Sequence, residues 1–319
     1  MRILIVGAGA VGGYFGGRLA QAGRDVTFLV RPLRAKQLAE HGLRIISPHG
    51  DALLKPKLVS AGAINSPYDL VFLSVKAYAL ELAIDDFVPA VGPGTMILPI
   101  LNGMRHIDLL TQRFGDEPVI GGVCIVATEV DGEGRVIQIN DIQQLTYGER
   151  DGGATTRLKA LDTTLQGAGF EARLSSDIIQ AMWEKWVMLA SVGVITCLLS
   201  GTIGDVAAVP GGAALSLRVL DECVAVATAH GHKPSAVFLS QHANAVTALG
   251  SPLTSSMYRD FRKGVPVEVD QILGDLVELG GRLGIETPLL TGAFVKLRIY
   301  QAGLGKHAED PNHTNTQNK

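Results

Sequence analysis

The sequence predicts two domains in tandem: an N-terminal doubly wound α/β domain on a parallel sheet, then an all-helical domain. Three observations carry that expectation. Short, continuous apolar strands alternate with helical stretches up to about Gly148, a glycine cluster occupies the first strand-to-helix turn, and after about Arg173 the hydrophobic period stays helical. Uninterrupted apolar strands suit a parallel sheet covered on both faces, and their alternation with helices suits βαβ units. At 319 residues the chain can hold two such cores. The expected boundaries are 1–173, 174–305 and a tail, 306–319, too poor in apolar residues to fold.

The strand RILIVG opens the chain and leads into a helix, VGGYFGGRLAQAG. DVTFLVR, DLVFLSVK, TMILPILN and PVIGGVCIVAT read as further strands of the sheet. A turn-rich insert at 42–60 is either a hairpin or an irregular edge, and strand-like segments at 135–140 and 144–147 are expected to extend the sheet. In the second half, SSDIIQAMWEKWVMLASVGVITCLL is a long helix with Ser and Asp near its start as candidate caps. Further helices are expected at about 210–230, 234–248, 253–263, 268–283 and 288–302, the third stopped by Gly264 and Pro266. The apolar run from Trp186 to Leu199 falls short of the roughly 20 residues that span a bilayer, so it reads as a buried helix.

With 28 Lys+Arg against 31 Asp+Glu and no long like-charge run, the chain carries no electrostatic footprint for nucleic acid or an anionic membrane. A small-molecule ligand is the expectation. Cys124, Cys197 and Cys223 are odd in number, widely spaced and without a CxxC, which suggests neither a disulfide framework nor a zinc site and fits a reducing cytoplasm. His230 and His232 flank Gly231 without a third ligand nearby, so no metal is expected.

Gly7, Gly9 and Gly12 form G-x-G-x-x-G between a strand and a helix. In that context the first glycine permits the tight turn, the second lets backbone approach a pyrophosphate, and the third lets helix pack on strand. Where an NAD-binding chain carries an acid for the ribose 2′-OH, this one carries Arg31, which can pair with a 2′-phosphate; NADP is therefore favoured. Arg34, one turn on, is a candidate second cation. Ligands in such sheets sit beyond the carboxyl ends of the strands, where Lys76 and Asn102 stand, as loop residues or as contacts to ribose, nicotinamide or substrate.

Lys185, Leu189 and Gly193 share one helix face at four-residue spacing. An ammonium buried among apolar side chains gives up its proton more readily and can serve as a general acid. Ser256, Asp260 and Lys263 share a face of a later helix and Glu268 begins the next. Ser and Lys can bind a carboxylate and Glu can hold a hydroxyl; the plainer alternative is capping by Thr254 or Ser255 and dipole stabilisation by Glu268.

GAGAVG with Arg31, SVKAY, LNGM, the WEKW helix and SSMYRDFRKGVPVEVD together resemble the ketopantoate reductases (2-dehydropantoate 2-reductases), in order and spacing, over about residues 1–300. The resemblance implies an N-terminal Rossmann-type domain that binds NADP, a helical C-terminal substrate domain and an active site in the cleft. It implies NADPH-dependent reduction of 2-dehydropantoate to pantoate, a step of pantothenate biosynthesis. It also implies roles: Arg31 at the 2′-phosphate, Lys76 near the nicotinamide ribose and substrate, Asn102 orienting substrate and cofactor, Lys185 as general acid, Ser256 on the substrate carboxylate and Glu268 on a substrate hydroxyl. Leu189, Gly193 and Ile203 depart from the family, which carries asparagine there. Losing those amides is expected to widen the pocket and to suit a bulkier or less polar 2-oxo acid. A related NADP-dependent dehydrogenase and a non-catalytic NADP sensor are the alternatives, and the apolar helical domain allows a homodimer.

Overall fold

The computed structural model describes residues 1–309. The chain divides into two compact units, Met1–Leu101 with Arg105–Met182, and Asn102–Met104 with Trp183 onward.

The strands of the first unit are β1 Arg2–Val6, β2 Asp25–Leu29, β3 Leu43–Ile46, β4 Ala52–Leu54, β5 Lys57–Val59, β6 Leu70–Leu73, β7 Met96–Pro99, β8 Gly121–Val130, β9 Val136–Gly148 and β10 Glu171–Leu174. Its helices are α1 Ala10–Gln21, α2 Pro32–His41, α3 Leu80–Phe87, α4 Arg105–Phe114 and α5 Thr156–Leu165. One sheet has the order β5-β2-β1-β6-β7, every pair parallel. Ile3 to Val6 and Leu70 to Leu73 are buried on both faces, which is why these strands carry no polar alternation. The α/β class expected from the sequence is what the structure shows.

Three strand assignments need correction. PVIGGVCIVAT meets the parallel sheet only at its start, through an isolated parallel bridge between Val119 and Ile97 of β7; from Gly121 it forms β8, antiparallel to β9 in a second sheet of order β10-β9-β3-β4, with β8 on the other side of β9. Segments 135–140 and 144–147 lie in one strand, β9, of that second sheet. The reason is the turn between β8 and β9, where the Asp131 carboxylate accepts from the backbone N–H of Glu133 and Arg135 and closes a hairpin. The insert at 42–60 is both of its alternatives: β3 and β4 make an antiparallel hairpin, and β5 is the edge of the parallel sheet.

Six of the first 17 residues are glycine, and packing explains the helical ones. A Cβ on Gly16 would stand 2.7 Å from the Phe28 ring and 2.8 Å from Ile5, both in the first sheet; one on Gly17 would stand 2.5 Å from Ile45 and one on Gly13 2.9 Å from Val136, both in the second. Helix α1 therefore lies close against both sheets, along a stripe that has no side chains to hold it off.

In the second unit, α6 spans Ile178–Leu199, its first residues belonging to the first unit. It is long and apolar enough to cross a membrane by length and composition, but 67% of its apolar window is buried inside the protein. Next come α7 Ile203–Ala208, α8 Gly212–Ala229, α9 Ala236–Val246 and α10 Ser256–Arg262. A π-helical turn at Asp270–Gly274 leads into α11 Asp275–Arg282, and α12 is Pro288–Glu309. The expected 268–283 helix is thus interrupted, and α7 is additional, held by a capping box between Thr202 and Asp205. Helix α12 runs past 302 and into the 306–319 segment; residues 310–319 of the expected tail lie outside the described residues. Cys124, Cys197 and Cys223 are buried free thiols.

Two pairs of buried polar side chains meet inside this unit. Thr196 Oγ1 meets Ser255 Oγ at 3.0 Å, and Ser191 Oγ meets His242 Nε2 at 2.7 Å. Burial pushes the His242 pKa down from 6.5 to about 4, so the folded protein holds a neutral imidazole. The unfolded chain binds a proton below 6.5 that the folded chain refuses, so this contribution is complete above 6.5 and is lost as pH falls toward 4. Between pH 7 and pH 5 it should remove about 2 kcal/mol of stability. Urea unfolding of wild type and His242→Phe at both pH values checks this: the variant should lose less on acidification.

Candidate active site

The polar residues singled out in the sequence fall into two sets. In the first unit, β1 ends in the glycine loop. Gly7 has φ +96°, which leaves it to glycine. Nothing lies within 4 Å of where a Cβ on Gly9 would stand, so the backbone there is open to a ligand. A Cβ on Gly12 would overlap Ser74 Oγ and the Gly7 carbonyl oxygen. Ser74, just beyond β6, is a residue the sequence reasoning missed: its Oγ lies 3.1 Å from both the Val6 and the Gly7 carbonyl oxygens and holds the loop. Helix α1 follows with Gly9 at its N-cap and no side-chain cap, leaving its first N–H groups available to an anion. Gly12→Ala should cost about 1–3 kcal/mol from overpacking and weaken dinucleotide binding, because a carbonyl cannot move aside as a flexible side chain can. A thermal melt with and without dinucleotide checks both effects.

Arg31 is the N-cap residue of α2, exposed, and its side chain makes no hydrogen bond or ion pair with the described residues. Arg34 differs from the expectation of a second outward cation. Its guanidinium is half-buried and turned onto protein carbonyls, with Nε 3.0 Å from Ala8 O and Nη1 2.9 Å from Gly134 O. Lys76 follows β6 and is exposed at the start of a short 3₁₀ turn.

The second unit holds the other set. Lys185 is only 9% exposed on α6. Its neighbour Trp186 donates from Nε1 to the Ile272 carbonyl at 2.9 Å, which fixes α6 against the π-helical turn just after Glu268. Glu268 is 5% exposed, and Asn102 Nδ2 donates to its Oε2 at 3.5 Å. Gly103 makes that meeting possible: it has φ +76° and abuts the Gln271 carbonyl, where a Cβ would have no room. Ser255 is the α10 cap, accepting from Tyr258 N–H, so the plainer capping role falls to it. Ser256 beside it is half-buried, and its hydroxyl makes no hydrogen bond to the described residues. Asp260 is half-buried and Lys263 exposed. A hydroxyl, a carboxylate with its amide donor and a buried ammonium can bind, orient and protonate a small oxygen-rich substrate.

The comparisons bear on both sets. The family model for the ketopantoate reductase PanE/ApbA matches residues 3–152, and the model for its C-terminal part matches 177–301. The chain belongs to the ketopantoate reductase family. As a member it is an oxidoreductase with an N-terminal parallel-sheet domain and a helical C-terminal region. It is 34% identical to the uncharacterized oxidoreductase YkpB of Bacillus subtilis, covering 95% of this chain and 99% of that one. It is 27% identical to a 2-dehydropantoate 2-reductase of Mesorhizobium japonicum, over 93% and 97%. Its fold matches a crystal structure of a 2-dehydropantoate 2-reductase from Geobacter metallireducens with TM-score 0.85 and 29% identity, over 94% and 99%.

This ketopantoate reductase family member fills part of the space that the sequence suggested was opened. A Cβ on Gly193 would stand 2.7 Å from Met257 Cε, so the methionine methyl occupies the notch. Ile203 is fully buried and donates its N–H to the Leu253 carbonyl. At Gly193 the expected extra space is thus taken up by Met257, and Ile203 packs in the core, whereas Leu189 stays half-buried on the Lys185 face. Met257 was missed because a methionine in SSM reads as core packing.

Proposed function

We propose that the protein is an NADPH-dependent reductase that converts a 2-oxo acid to its 2-hydroxy acid, with ketopantoate as the first substrate to consider. One observation carries the reading: a buried lysine on an apolar helix, beside a turn that presents a buried Glu268 with Asn102 as its donor. The cofactor half is supported by the open backbone at Gly9 and by the guanidinium of Arg31, which has no partner among the described residues. A bound reduced nicotinamide supplies the hydride.

In this account Arg31 holds the 2′-phosphate and Lys76 lies by the nicotinamide ribose and the substrate. Ser256 Oγ donates to the substrate carboxylate, Glu268 accepts from a substrate hydroxyl, and Asn102 keeps Glu268 oriented. Lys185 Nζ donates its proton to the keto oxygen as negative charge develops there. That proton and positive charge act mainly in the transition state, where stabilisation raises the rate. The low polarity around α6 strengthens the interaction by keeping water away.

A second reading rests on the apolar strip beyond Lys185: Leu189 and the Met257-filled notch at Gly193 offer a substrate side chain no hydrogen bond. It favours a 2-oxo acid less polar than ketopantoate. Initial rates of NADPH oxidation with ketopantoate and with aliphatic and aromatic 2-oxo acids decide between them, wild type against Leu189→Asn. Under the first reading ketopantoate has the highest kcat/KM; under the second a less polar acid does, and Leu189→Asn moves the preference toward ketopantoate. Turnover of none of them would remove both.

A further inference from the structure

Arg34 ties three segments of the first unit together with one planar cation. Its Nε–H donates to Ala8 O, between the first two glycines of the loop, and its Nη1–H donates to Gly134 O in the β8–β9 turn and to Gln37 Oε1 at 3.3 Å. Arg34 stands in the first turn of α2, whose N-cap is Arg31, and the Arg31 carbonyl accepts from Ala35 N–H at 2.9 Å. Loop, α2 start and turn are thereby fixed relative to one another. A guanidinium can do this because its donors diverge in fixed directions, which an ammonium cannot match. Gly134 makes the approach possible: its φ is +77°, and a Cβ there would stand 2.8 Å from Nη1.

We propose that Arg34 is a positioning residue for cofactor selection, setting the separation between the glycine loop and Arg31 so that a dinucleotide seated on the loop brings its 2′-phosphate to the Arg31 guanidinium. The inference rests on the NADPH reading above. It assigns Arg34 no contact with the phosphate: Nε and Nη1 are bonded to protein oxygens, and Nη2 is buried, without a partner among the described residues. Gln37 adds a third bond from the next turn of the same helix.

The test is a double-mutant cycle on the full chain with Arg34→Met, Arg34→Lys, Arg31→Ala and Arg34→Met/Arg31→Ala. Dissociation constants for NADPH and NADH are read from nucleotide fluorescence, and kcat/KM from turnover. Arg34→Met is expected to lower the NADPH-to-NADH preference by about 3- to 10-fold, in the lower part of the range found for coupled neighbours, with kcat at saturating NADPH retained. In the Arg31→Ala background it should change the preference no further, because the phosphate's partner is already gone. Arg34→Lys should recover part of the loss, since an ammonium can bond one of the two carbonyls. Equal losses for both cofactors would overturn the proposal by leaving Arg34 a purely structural role; an additional loss of preference without Arg31 would overturn it by showing direct phosphate contact. If Arg34→Met does not fold, Arg34→Lys decides by the same ratio, with a smaller shift. A wild type without NADPH preference would remove the NADPH reading and this proposal together, whereas a normal wild-type preference with equal losses removes the proposal alone.

Discussion

Lys185→Met is expected to lower kcat by about 10²–10⁴-fold, the usual worth of a positioned general acid, while NADPH still binds. Methionine keeps most of the unbranched stem that packs on α6 and removes only the ammonium, so the loss measures proton donation rather than packing. The change should appear in kcat and kcat/KM together, because the interaction is made in the transition state. If the ammonium also holds the ground-state substrate, KM rises as well. Steady-state kinetics beside a fluorescence titration of NADPH checks this, and a variant retaining near-wild-type kcat would take the proton-donor role from Lys185.

Arg31→Ala carries the second large effect. A hydrogen bond to a charged partner contributes about 1.5–3 kcal/mol, so the NADPH-to-NADH ratio of kcat/KM should fall by about 10- to 150-fold. Arg31 is exposed, so salt screens it and the preference should also narrow as ionic strength rises. Arg31→Asp should go further and favour NADH, because a carboxylate repels the 2′-phosphate and can accept from a ribose hydroxyl. Kinetics with both cofactors at two salt concentrations tests magnitude and screening at once.

Local pattern made some of this legible in the sequence, and long-range pairing hid the rest. Four of the five parallel strands, β1, β2, β6 and β7, follow from apolar runs, and the glycine loop from its spacing between strand and helix; the edge strand β5 is a short, half-exposed piece of the turn-rich insert. The second sheet does not follow, because β8 has the composition of a buried parallel strand and only its partner β9, across the Asp131 turn, makes it antiparallel. Helix α7 was readable from T-x-x-D at Thr202–Asp205, a capping pattern in a short segment. In the site, Lys185 and Glu268 stand out as charges in apolar surroundings, and the structure finds both buried. Arg34 could not be distinguished from a solvated arginine, since its partners, Ala8 and Gly134, are backbone carbonyls that no side-chain pattern announces. Met257 was equally hidden: its role depends on a notch that exists only because Gly193 lies opposite it in space.

Following the hydrogen itself tests the central claim most directly. Wild-type protein is given NADPH deuterated at the transferable position of the nicotinamide, together with ketopantoate and a less polar 2-oxo acid, and the products are analysed by mass spectrometry and NMR. A 2-hydroxy acid with one deuterium on carbon 2 is expected from at least one of the two acids, and about 10²–10⁴-fold less of it with Lys185→Met over the same time. NADPH that binds but stays unoxidised with both acids, or product without deuterium at carbon 2, would contradict it.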